Sequence, residues 1–139
     1  MRWITEENYR EEMKREAEPY LAKWRSESFF PVTQSKDGGD ESLHVMCYAA
    51  DAPKSVLVIS HGFTESTPKY DELVYYFLQA GYHVYVLEHM GHGQSYRLTE
   101  DPSLVHVDTW KRYVRDLLAF CHEIRKEHPD LPLSLYAHS

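Results

Sequence analysis

The run Ser55-Val56-Leu57-Val58-Ile59-Ser60 is continuous, apolar and rich in β-branched residues, the pattern of a strand buried on both faces of a parallel sheet. It ends in His61-Gly62-Phe63, and helix signals follow: Thr67 as a cap, Pro68 at the first helical position, apolar Tyr70, Leu73, Val74, Phe77 and Leu78, and a stop at Gly81. Tyr82 to Leu87 is a second β-rich run, so the stretch closes a βαβ unit. A further helix is predicted from about Asp108 to His128, with Val107, Trp110, Val114, Leu117, Leu118, Cys121 and Ile124 on its apolar face. The last run, Leu131 to Ser139, alternates Leu133, Leu135 and Ala137 with Ser134, Tyr136 and His138, and reads as a buried strand. Upstream, the alternating runs from Phe29 and from Leu43 flank Lys36-Asp37-Gly38-Gly39-Asp40 and predict an antiparallel hairpin. Before that, Thr5 to about Glu27 reads as an amphipathic helical arm capped by Thr5 and kinked or split at Pro19. The expectation is a doubly wound, mostly parallel α/β sheet with an antiparallel edge, residues 1–28 forming the arm and 29–139 the sheet-bearing part.

Composition narrows the function classes. With 22 acidic against 15 basic residues and a net charge of −7, the chain lacks the basic footprint that nucleic acid requires. Met1 to Glu18 is strongly charged with no apolar signal region, which points to a cytoplasmic setting. Cys47 and Cys121 fall on apolar faces and read as small hydrophobes. None of the nine histidines shares a helix face with another His or Cys at ligand spacing, so no metal and no cofactor is called. His89 and His92, in a glycine-rich loop, are expected to be solvated.

In doubly wound sheets the chemistry sits outside the carboxyl ends of the parallel strands. Three segments fall there: His61-Gly62-Phe63, the loop with Gly91-His92-Gly93-Gln94-Ser95, and Ala137-His138-Ser139. The last is the first half of a small-x-Ser-x-small elbow, in which a sharp strand-to-helix turn exposes a serine hydroxyl.

Ser60-His61-Gly62-Phe63-Thr64-Glu65, Glu88-His89-Met90-Gly91-His92-Gly93-Gln94-Ser95 and Ala137-His138-Ser139 together resemble the α/β-hydrolase fold, and more narrowly the monoglyceride lipase and bacterial lysophospholipase L2 group of serine esterases. The likeness runs from Phe29 to Ser139; Lys69 to Ala80 and Arg97 to Pro102 with His106-Val107 look closest to the bacterial lysophospholipases. The resemblance implies that Ser139 is the nucleophile and that the backbone N–H of Phe63 is one oxyanion donor. It implies structural roles for His61, Gly62, Gly91 and Gly93. Glu65 and Lys69 fall where the group carries polar residues near a glycerol or phospho-head group; a plain solvated loop is an equal reading. The chain has Glu88 where the group often has Asp, and Ala137 where the elbow often has Gly.

The implied activity is hydrolysis of carboxylic esters of monoacyl lipids, lysophospholipid or monoacylglycerol, through an acyl-enzyme. Alternatives are an aminopeptidase- or thioesterase-type hydrolase, or a non-catalytic binding module on the same fold. The partner is a small lipid or ester, with peripheral membrane contact left open. Because the group's acid, histidine and lid follow the serine, residues 1–139 are expected to be an N-terminal portion of a longer molecule, inactive and poorly soluble without a C-terminal remainder of the hydrolase domain.

Overall fold

The computed structural model describes residues 1–32 and 41–138. Five strands, β1 (Arg25–Pro31), β2 (Ser42–Tyr48), β3 (Ser55–Ser60), β4 (Tyr82–Leu87) and β5 (Leu133–Ala137), form one sheet in the order β1-β2-β4-β3-β5. β1 and β2 pair antiparallel, as do β2 and β4, whereas β3 runs parallel to both β4 and β5. The hairpin expectation therefore holds for its strands, while its Asp37-Gly38-Gly39 turn lies outside the described residues.

The continuous apolar run behaves as its composition requires, every residue of β3 being buried. Leu57 and Ile59 join Val84, Val86 and Tyr48 under α3 (Asp71–Gln79) and the N-terminal arm, packing on Val74, Tyr75, Leu78, Ala17 and Leu21. Val56 and Val58 join Leu43, Val45, Tyr85 and Leu87 on the opposite face, against Phe120 and Ile124 of α4 (Trp110–Glu127). Helices thus cover both faces, and the two crossovers leave β3 between its parallel partners.

The arm departs from the simple kinked helix. α1 (Tyr9–Glu12) widens into a π-helical segment (Met13–Ala17) and resumes as α2 (Glu18–Trp24) with Pro19 near its start. The wide turn absorbs the clash between a proline ring and the preceding turn. Thr5 does not cap a helix; its N–H and hydroxyl donate to the Glu12 carboxylate at 2.6 and 3.1 Å. β1 begins at Arg25 rather than Phe29, because Arg25 to Ser28 pair with Tyr48 to Val45 on an exposed edge where no apolar alternation is needed.

Two apolar surfaces are corrected. On α4 the buried positions are Asp116, Phe120 and Ile124, while Trp110, Val114 and Leu118 are exposed. Asp116 can be buried because it accepts from the Tyr96 hydroxyl at 2.8 Å and pairs with Arg115 at 2.9 Å, which turns Phe120 inward. β5, read as buried, is half-buried only at Leu133 and exposed from Ser134 to Ala137, since among the described residues it pairs with β3 alone.

Candidate active site at the carboxyl ends of the parallel strands

The parallel register brings three chain segments to one edge. Ser60 lies opposite Leu87 on β4 and opposite Ala137 on β5, so His61, Glu88 and His138 leave the sheet side by side. The convergence read from the sequence is present for these segments; Ser139 itself lies outside the described residues. His138 stays tied to the sheet, its N–H donating to the Ser60 carbonyl at 3.1 Å.

The loop after β3 is fixed almost atom by atom. Gly62 N–H donates to the Glu65 carboxylate at 2.9 Å, and Glu65 N–H returns to the Gly62 carbonyl at 3.1 Å. Thr64 adopts a left-handed backbone, φ 65°, uncommon for a β-branched residue, and its N–H donates to His92 Nε2 at 3.0 Å. Within Gly62 to Glu65 the N–H of Phe63 is the one with no acceptor among the described residues. Phe63 is 66% exposed at the rim, its ring meeting His92 edge-on at 5.8 Å.

The loop after β4 corrects the solvated-histidine expectation. His89 and His92 are buried, because the loop folds back beneath the β3 turn and Tyr113 of α4 closes over both rings at 5.5 and 6.3 Å. His61 lies between them, edge-on to His89 at 4.8 Å and tilted against His92 at 4.7 Å. Burial pushes the His61 pKa below its usual range, and burial followed by repulsion from His61 and His92 pushes that of His89 down to about 3. Both rings are therefore neutral at physiological pH. No single-sequence signal finds this cluster, since the contacts join residues nearly thirty positions apart.

Glu88 is buried beneath the same loop. It accepts from His44 Nδ1 at 2.6 Å and from the N–H groups of Thr67 and Gln94 at 3.1 Å each. His44 Nε2 in turn lies 3.0 Å from the Glu27 carboxylate, off hydrogen-bond alignment. Burial raises the Glu88 pKa, but Gln94, Thr67 and His44 together outweigh it and the net shift is downward. Gly93, φ 50°, sits where an added Cβ would come within 2.1 Å of the Glu88 carboxylate, and Gly91 also has a positive φ, 80°.

Glu65 and Lys69 occupy the rim. Their ion pair, the Tyr70 hydroxyl and Gly62 N–H hold the Glu65 carboxyl down to about 2. His138 Nδ1 approaches the same carboxylate at 3.1 Å. Lys69 is the exposed partner. A cavity of about 340 Å³ is lined by His61, Phe63, His89, His92, Tyr113 and His138 among others, with Glu65 and Lys69 outside its lining. No group of three or more His, Cys, Asp or Glu among the described residues is arranged to hold a metal ion.

The family described as serine aminopeptidase, S33, matches residues 51–139, which include all three strand-end segments. The chain belongs to this family. Among curated relatives of this S33 family member, it is 40% identical over 100 residues to lysophospholipase L2 of Escherichia coli, covering 72% of this chain and 29% of the relative. It is 37% identical over 87 residues to monoglyceride lipase of Mus musculus, covering 63% of this chain and 27% of the relative. The chain thus spans under a third of the length of the curated relatives it matches. Its fold is that of the α/β-hydrolases. A carboxyl esterase from Bacillus coagulans aligns with TM-score 0.65 at 23% identity, over 83% of this chain and 36% of that one. A soluble variant of monoglyceride lipase from Saccharomyces cerevisiae aligns with TM-score 0.63 at 20% identity, over 81% and 36%. Among the described residues no helix is long and apolar enough to cross a membrane.

Proposed function

We propose that the protein is a serine esterase that hydrolyses monoacyl lipid esters, lysophospholipid or monoacylglycerol, with Ser139 as nucleophile and the Phe63 N–H as an oxyanion donor. The observation that carries this reading is the unaccepted Phe63 N–H between the satisfied N–H groups of Gly62, Thr64 and Glu65, at the strand end beside β5. The names of the relatives, monoglyceride lipase and lysophospholipase L2, supply the substrate class.

In this reading Ser139 Oγ attacks the ester carbonyl, its proton passes to a histidine base, and the carbonyl oxygen takes the negative charge opposite the Phe63 N–H. The alcohol leaves with that proton, and water then hydrolyses the acyl-enzyme. The base and its acid are assigned to residues outside 1–139, consistent with the share of the relatives that this chain covers. The Lys69 ammonium, oriented by Glu65, faces the polar head group, and the exposed Phe63 ring stands where an acyl chain meets the protein surface. Residues 29–139 then form the N-terminal part of a hydrolase domain and residues 1–28 its helical arm. The family's aminopeptidase description sets the competing substrate, an N-terminal aminoacyl amide.

The test is hydrolysis of monoacylglycerol, lysophospholipid and aminoacyl anilide by the full-length protein and its variants. Ser139→Ala abolishes lipid hydrolysis and fluorophosphonate labelling. Phe63→Pro, which deletes the N–H, lowers kcat by about 100-fold, the roughly 3 kcal/mol of one oxyanion donor, while Phe63→Ala costs far less. Full activity in folded Ser139→Ala, or preference for the anilide, defeats the assignment.

A further inference from the structure

The rings of His61 and His92 have their protons placed by partners that leave no choice. A backbone carbonyl can only accept, and a backbone N–H can only donate. His61 Nδ1 lies 2.7 Å from the Gly62 carbonyl, while the N–H of His89 points at His61 Nε2 from 2.9 Å. His92 Nδ1 lies 3.1 Å from the Met90 carbonyl, while the N–H of Thr64 points at His92 Nε2 from 3.0 Å. Each ring therefore carries its single proton on Nδ1 and keeps a lone pair on Nε2.

These bonds land on the two peptide units that flank Phe63. The Gly62 carbonyl and the Phe63 N–H belong to one planar trans unit, so fixing the carbonyl direction fixes the N–H in the opposite direction. The next unit is held through Thr64 N–H, at the residue whose left-handed backbone is itself costly to maintain. We propose that His61 and His92 are positioning residues that clamp the oxyanion turn from beneath, pre-aiming the Phe63 N–H. The proposal rests on the assignment of that N–H as the oxyanion donor. It adds that neutral imidazoles supplied by the β3 and β4 loops act beside the turn's own Gly62–Glu65 bonds to hold the donor in place before substrate arrives. Both rings border the cavity, but each ring nitrogen is engaged by backbone.

The clamp acts on a group used in the transition state, so its loss is read in kcat rather than KM. In the full-length protein with a soluble monoacyl ester, His61→Ala and His92→Ala each lower kcat by about 10- to 100-fold, a part of the effect of deleting the donor, with KM changed by less than about twofold. His61→Asn places an amide N–H near the Nδ1 position and His92→Gln places an amide oxygen near the Nε2 position; each restores most of the rate lost in the alanine variant. Phe63→Pro run in parallel separates the two ideas. A damaged Phe63→Pro with undamaged histidine variants overturns the clamp and leaves the donor standing, whereas an undamaged Phe63→Pro overturns the donor and the clamp's role with it. Nitrogen-15 NMR of the unaltered protein covers variants that fail to fold: both rings show the Nδ1–H tautomer, and an Nε2–H tautomer on either ring overturns the proposal.

Discussion

Replacing Glu88 with Gln removes one charge and changes almost no volume, so its cost can be worked from the contacts. One carboxylate oxygen accepts from His44 Nδ1 and Gln94 N–H, the other from Thr67 N–H. The amide keeps one acceptor. Its better orientation leaves the carbonyl toward His44 and Gln94 and turns the NH2 against Thr67 N–H, leaving that buried donor unsatisfied at about 1 to 3 kcal/mol. The two surviving bonds become neutral rather than charge-assisted, at roughly 1 kcal/mol each, partly offset by relief of the buried charge. The net expectation is a loss of about 3 kcal/mol at pH 7, measured by urea denaturation. The pH dependence has a definite sign. The folded-state pKa of Glu88 is depressed, so its contribution is present above the unfolded carboxylate value near 4.3 and is lost as pH falls through the folded value. The gap between the two proteins should therefore narrow below about pH 4. Glu123→Gln, at an exposed position paired with Lys126, is the control, expected within about 0.5 kcal/mol of the parent. A Glu88→Gln loss under about 1 kcal/mol at pH 7, or a gap that widens in acid, would show that the network is not satisfied as described.

Gly93→Ala drives a Cβ to within 2.1 Å of the Glu88 carboxylate at φ 50° and is expected to lower the melting temperature well beyond Gly91→Ala, whose nearest contact is Val105 Cγ1 at 3.5 Å with φ 80°. Equal shifts for the two would remove the steric argument. Burial holds His89 down to about 3 against an unfolded value near 6.5, so the unfolded chain takes up a proton first and stability falls as pH drops below about 6.5. His89→Gln should flatten that fall, only in part because His61 is shifted the same way, and identical stability–pH slopes from pH 8 to 4 would count against a neutral buried His89.

What could be read from the sequence was whatever a short window encodes. The apolar run at Ser55 to Ser60 demanded cover on both faces and has it, and the order of strands and helices was enough to bring His61, Glu88 and His138 to one edge. Features set by distant partners stayed hidden. The polar stretch Arg25 to Ser28 becomes strand only because Val45 to Tyr48 lies beside it. The face of α4 turns on Asp116, a charge that no hydrophobic pattern places inside until Tyr96 is known to donate to it. His92 looked like a solvated residue between two glycines, yet those glycines are what let the loop double back and bury it.

The loop after β4 links stability to the site more closely than its length suggests. Through Glu88 it holds His44 on β2 and the N–H of Thr67 at the start of the 3-10 turn leading into α3; through His92 it holds Thr64; and through His89 N–H it sets the proton position on His61. The arrangement also decides the electrostatics. The carboxylates nearest the strand ends, Glu65 and Glu88, have their acceptor oxygens taken by internal donors, and His61 and His89 are neutral. In the proposed esterase reading, what remains to face the ester carbonyl is the Phe63 backbone dipole. Such a dipole interacts weakly with a ground-state carbonyl and strongly with the anion that forms from it, and it requires no reorganisation if the turn is already rigid. In the proposed clamp, rigidity is the property the buried imidazoles supply, and a neutral ring does so without adding a fixed positive charge that would bind anionic product as readily as the transition state.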